Sequence, residues 1–127
     1  MIRLGMAYVA LGISLVSVAA SQLLIKSRFE ALGIGATADR GIAATMVAIM
    51  GDFGTWCAAL LVASGALLWY FALSRLPVHV MLPLAALIGP LTSAGAYFFL
   101  GEPVTAPKMA AIALIATGAA WLASLQG

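Results

Sequence analysis

Gln22, Lys26 and Arg28 are the residues of this chain whose types and spacing carry the most chemistry. They close an apolar stretch, Leu4 to Ile25, that contains no Asp or Glu. Two cations and an amide at the end of an acid-free apolar helix suit an anion. An ammonium and a guanidinium pair with phosphate or carboxylate oxygens, and an amide completes the hydrogen bonding. At about 100° per residue, Ser14, Ser17 and Ser21 share one helical face. Gln22 and Lys26 lie one turn apart on an adjoining stripe, and Arg28 returns to the serine face if the helix continues. Two readings are open. In one, Lys26 and Arg28 snorkel to lipid headgroups and the serines pack against another helix. In the other, these groups line a substrate path. Gln22 favours the second, because an amide at that depth needs a partner in another helix or in a ligand.

The second stretch with chemical content runs from Arg75 to Lys108. No side chain between His79 and Glu102 ionises near neutral pH. Pro83 and Pro90 lie inside this run. Pro83 would free the carbonyl of His79, and Pro90 that of Ala86. Each carbonyl either belongs to a kink that shapes the bundle or is offered to a polar ligand group. Ala85, Gly89, Ser93 and Tyr97 fall four apart and form a small-to-polar stripe. Glu102 sits in the turn that follows, and Pro83, Pro90 and Glu102 are the candidate helix-break and gating residues. His79, near the boundary of the run, is read as an interfacial residue ahead of a proton carrier.

These residues need apolar helices to position them. The chain is 65% hydrophobic and 8% charged, against about half and a quarter in soluble domains. At 127 residues it could not hide that surface from water. The expected fold is an all-α integral membrane domain over residues 1–127, with four transmembrane helices at about 4–25, 54–73, 78–100 and 108–125. The first is longer than the apolar core of a signal peptide. Between the first two spans, Ile42, Met46, Ile49, Met50 and Phe53 repeat at helical spacing. They predict a short amphipathic helix, capped by Thr37 or Asp39 and read as a connector. Trp56, Trp69 and Tyr70 bracket the second span as interfacial aromatics do. Ala116, Ala120 and Ser124 give the last span a small-residue face for another helix or a second copy. Thr105 is its expected N-cap, with Pro107 in its first turn.

A net charge of +2 suits anionic headgroups but does not argue for nucleic acid. Arg3 and Arg75 fall on one side, and Lys26, Arg28, Arg40 and Lys108 on the other, which would leave the termini outside. Cys57 is alone, so it sets no intrachain disulfide. The chain carries no metal-ligand spacing, nucleophile–base pair or phosphate-cradling glycine loop, so neither catalysis nor a cofactor or metal is expected.

The order Leu76-Pro77-Val78, Pro83, a long apolar run, Glu102-Pro103-Val104-Thr105 and an Ala- and Gly-rich last helix resembles a known pattern. It is similar to the four-helix unit of the drug/metabolite transporter superfamily, EamA-like. Within it, Ser21-Gln22-Leu23-Leu24-Ile25-Lys26 looks like the first helix of the small subunits of bacterial flippases for 4-amino-4-deoxy-arabinose linked to undecaprenyl phosphate. The chain has Leu82-Pro83 where that family often has Tyr-Pro, and Pro90 where an apolar residue is usual.

The resemblance implies a transporter of a polyprenyl-phosphate-linked substrate across the bacterial inner membrane. It also implies pairing as a homodimer or with a sister subunit, because larger relatives hold two such units. By that reading Lys26 meets the phosphate, and Arg28 or Arg75 holds it at the mouth. Gln22 binds sugar or phosphate oxygens, with Ser21, Ser93 and Tyr97 further in. The alternative is a proton-coupled exporter of small cations, similar to small multidrug resistance proteins. It ranks lower because the first span lacks their embedded glutamate.

Overall fold

The computed structural model describes residues 2–125. Seven helices follow one another: α1 (Ile2–Leu32), α2 (Ile34–Ala38), α3 (Ile42–Met50), α4 (Phe53–Leu73), α5 (Val78–Ala85), α6 (Ile88–Phe99) and α7 (Ala106–Ser124). Among the described residues there is no strand, and four helical stretches are long and apolar enough to cross a membrane. They are α1, α4, the α5–α6 pair and α7, as the hydropathy leads one to expect.

The main departure is the length of α1. The expected end at Ile25 is replaced by one at Leu32. Nothing from Lys26 to Leu32 breaks a helix, and Gly33, at φ +64°, is the first residue free to leave it at no steric cost. At 1.5 Å per residue, α1 is about 46 Å long, beyond the roughly 30 Å hydrocarbon core. Lys26 therefore lies on the wall of α1 and not at its tip.

α1 runs up the middle of the bundle, antiparallel to α4 and parallel to α6. Its longest interface is with α4. There the backbones close in at Gly65, where a Cβ would lie 3.1 Å from Val18 Cγ2 and 3.4 Å from the Ser14 carbonyl oxygen. The Ser14 hydroxyl donates to the Gly65 carbonyl at 2.7 Å. This is the small-residue approach with polar cross-bonding that replaces the hydrophobic effect between helices in lipid. Below it, Ala7, Leu11 and Leu15 meet Ala72, Leu76 and Met81 in the buried core. Against α6, Leu23 lies over Gly95, where a side chain would collide with it.

The two prolines bracket a break. The Ala86 N–H donates to the Pro83 carbonyl at 3.1 Å, Leu87 to Leu84 at 3.0 Å, and Gly89 to Ala86 at 3.2 Å. These are three-residue turns, tighter than the α-helix. The Ala86 carbonyl that Pro90 frees is thus taken by the Gly89 N–H and not held open for a ligand.

α7 begins as expected, with Thr105 at the N-cap and a proline in its first turn, although the Thr105 side chain makes no capping bond. Its backbone carbonyl accepts from the Met109 N–H at 3.0 Å. α7 leans on α5 and α6 and buries Ala119. The short helix α3 is present, but its N-cap is Gly41 and not Thr37 or Asp39. Thr37 falls inside α2, where its hydroxyl donates to the Gly33 carbonyl at 3.3 Å.

Leucine at Gly65 would overpack the α1–α4 seam, where overpacking typically costs about 1–3 kcal/mol. Gly65→Leu is expected to lower the unfolding midpoint in detergent micelles. Gly118→Leu, on an open face of α7, is expected to leave it unchanged.

Candidate functional site

Three elements bring the polar residues together. The first is the wall of α1, which presents Gln22 and Lys26 one turn apart. The second is α6, whose Thr92 hydroxyl donates to Gln22 Oε1 at 3.0 Å. The third is the α6–α7 turn. Gly101 takes a left-handed φ of +65°, and the Glu102 N–H donates back to the Ala96 carbonyl at 3.2 Å. That turn lands the Glu102 carboxylate on the Lys26 ammonium, and the two form an ion pair.

Between these groups lies a cleft of about 290 Å³, whose polar lining is Gln22, Lys26, Thr92, Ser93, Glu102 and Lys108. Two ammonium groups against one carboxylate leave it one positive charge in excess. A second cleft of about 420 Å³ adjoins it between α6 and α7 and is almost wholly apolar. Ser93, Val104 and Ile112 line both. A third hollow, of about 610 Å³, opens between α1 and α2 and also reaches Gln22 and Lys26.

The remaining candidates are placed elsewhere. Arg28 turns to the α4 side of α1. Its Nε and Nη2 donate to the two Asp52 carboxylate oxygens at 3.0 and 2.6 Å. Asp52 is also the N-cap of α4, accepting from the Thr55 N–H at 2.8 Å and its hydroxyl at 2.9 Å. The Arg28 stem crosses Gly54, where a Cβ would come within 2.6 Å of it. Arg28 is therefore committed to joining α1 to α4. Ser21 is fully buried and donates to the Val18 carbonyl of its own helix at 2.7 Å. Arg75 is in the α4–α5 turn at the opposite end of the bundle, 5.6 Å from the Phe71 ring centroid. Tyr97 lines the apolar cleft and packs edge-on to Phe98 at 5.2 Å. Pro90 lines that cleft too, while Pro83 shapes the α5–α6 break.

The structure thus brings Gln22, Lys26, Ser93 and Glu102 to one cleft, and leaves Ser21, Arg28, Arg75 and Tyr97 outside it. Thr92 and Lys108 complete the cleft and are missing from the sequence-derived set. Thr92 is the interhelical partner that Gln22 demands, and it lies beside the chosen Ser93. Lys108 reads in sequence only as the start of the last span.

An all-α, multi-pass membrane protein with a polar cleft beside its central helix is the class these features define. No protein-family model, curated protein or solved structure matches the chain. Among the described residues, no three His, Cys, Asp or Glu side chains gather where they could hold a metal.

The Arg28 hydrogen bonds hold the Asp52 carboxyl well below the usual carboxylate range, and the Thr55 bonds add to this. A carboxyl depressed on folding stabilises the fold fully above its ordinary value of 3.8, and the contribution fades as pH falls below that. Asp52→Asn is therefore expected to lower the unfolding midpoint by a constant amount between about pH 5 and 8. The gap should narrow under acid below about pH 4. A gap that already closes near neutrality would show that the pair is not formed.

Proposed function

We propose that this protein is a transporter of the flippase type. It moves an undecaprenyl-phosphate-linked aminosugar, or a related anionic lipid, across the bacterial inner membrane without covalent chemistry. The observation that carries the reading is the cleft with a net positive charge beside α1, in which Lys26 is held by a single carboxylate. An ionised headgroup entering hydrocarbon loses hydration worth tens of kcal/mol in the idealised limit. Lys26 and Lys108 replace part of that hydration with charge. Gln22, Thr92 and Ser93 replace more of it with hydrogen bonds. Substrate phosphate takes the place of Glu102 on Lys26, so the ammonium is never left unpaired in a medium of low dielectric. The motif likeness of Ser21–Lys26 and Glu102–Thr105 supports the same assignment. By analogy with the two-unit transporters this likeness points to, the working form is a pair, with itself or with a sister chain.

A second reading draws on Glu102, whose carboxylate faces the same cleft. A carboxylate there suits a small cation or a proton, as in small multidrug exporters. The two ammonium groups beside it repel such a cargo and rank this reading lower.

The test is flipping in proteoliposomes. Lys26→Ala is expected to cut delivery of a polyprenyl-phosphate aminosugar by about a hundredfold, the scale of losing a charged hydrogen bond worth roughly 3 kcal/mol. Gln22→Ala is expected to cut it less. Full delivery with both residues replaced rejects this site, and proton-driven ethidium efflux by the same vesicles selects the second reading.

A further inference from the structure

We propose that the apolar cleft between α6 and α7 seats the single hydrocarbon chain of the lipid whose anionic head occupies the polar cleft. This inference rests on the transport reading and adds to it a second subsite, specific for one linear, prenyl-type chain. Three observations carry it.

The first is continuity. Ser93, Val104 and Ile112 line both clefts, so a molecule bound in one is in contact with the wall of the other. A charged hollow that shares its wall with an apolar one is the shape of an amphiphile's site and not of a free sugar phosphate's.

The second is polarity along the helix axes. Lys26, Glu102 and Lys108 gather where α6 ends and α7 begins. The apolar cleft starts at that same end, with Phe98, Val104 and Met109, and continues inward to Pro90 and Ala113. From Phe98 to Pro90 is about 12 Å along α6. Head at the rim and chain toward the middle of the bilayer is the orientation a lipid already has.

The third is shape. α6 contributes one face, Pro90, Ser93–Ala94 and Tyr97–Phe98, and α7 one stripe, Met109 and Ile112–Ala113. These are i, i+3 and i+4 positions, so one row from each helix faces the other. Two facing rows flank an open groove that runs along the helices, a shape a linear chain can follow. At about 420 Å³ the cleft falls within the roughly 300–1,000 Å³ of ligand sites.

The decisive experiment uses wild-type protein in proteoliposomes and a polyprenyl phosphate with a diazirine in its first prenyl units. Photolabel is expected on α6 and α7 residues of the cleft, and on Met109, Ile112 and Ala113 above all. Excess unlabelled polyprenyl phosphate is expected to remove it, while an equal excess of phosphatidic acid, which carries two chains, leaves most of it. Label spread evenly over lipid-facing residues such as Leu60 and Leu67, or removed equally by phosphatidic acid, would overturn the subsite. In parallel, Ala113→Phe, which fills the groove, is expected to slow flipping of the full-chain substrate about tenfold. Leu114→Phe, on the exposed side of α7, should not. Wild-type flipping with uncompeted label sinks the chain subsite and leaves transport standing. Competed label without any flipping sinks the transport reading and leaves the subsite.

Discussion

A polar group that α1 carries into lipid needs its partner inside the protein, because lipid offers none. That constraint organises the molecule. Ser14 donates to the Gly65 carbonyl of α4, and Ser21 to the Val18 carbonyl of α1 itself. Gln22 accepts from Thr92 of α6. Lys26 pairs with Glu102 of the α6–α7 turn, and Arg28 with Asp52 at the head of α4. One helix thus meets a different neighbour at each level, and the order of those neighbours around it sets the bundle. α4 lies on the face of Ser14 and Arg28, and α6 on the stripe of Gln22 and Lys26.

The helical period already contained this division. Arg28 returns to the serine face, and Gln22 and Lys26 stand about 80–120° around from Ser14. Grouping Lys26 with Arg28 by charge overrides that geometry, and the structure restores it. The four spans were legible because apolar length in a membrane admits few alternatives. The end of α1 was not, since hydropathy falls at Lys26 while helical propensity continues to Gly33. The partners of Lys26 and Arg28 were not legible either. Glu102 lies 76 residues from Lys26, and Asp52 lies 24 from Arg28 across two short helices. Such pairings depend on turn geometry, on Gly101 in one case and Gly33 and Gly41 in the other, and the period of a helix is silent about both.

The two ion pairs differ in ways that fit different tasks. Asp52 is almost fully buried, bidentate to Arg28 and bonded twice to Thr55. Removing Arg28 leaves the buried Asp52 carboxylate without its charged partner, which is among the costlier losses a fold can suffer. The Lys26–Glu102 pair has side chains 49% and 37% exposed, and the carboxylate is a single contact on a turn. An exposed pair of that kind contributes little to stability. It satisfies the Lys26 ammonium from a neighbouring turn without tying two helices tightly together.

The same contrast runs through the packing. On the α4 side, α1 is met by glycine and alanine at close approach, and the seam is long. On the α6 side, the contact narrows to Leu23 over Gly95 and the Gln22–Thr92 bond, with both clefts beside α6. The prolines explain why α6 can stand apart. The tight turn at Ala86–Leu87 separates α5, whose Val80 and Met81 are buried, from α6, which buries only Gly95. A straight helix through this segment would carry one packing direction along its whole length. Breaking it lets the first half complete the core while the second half lines both the polar and the apolar cleft. Ser93, on that second half, is the residue where the two chemistries meet, and the spacing of Pro83 and Pro90 sets the break that places it there.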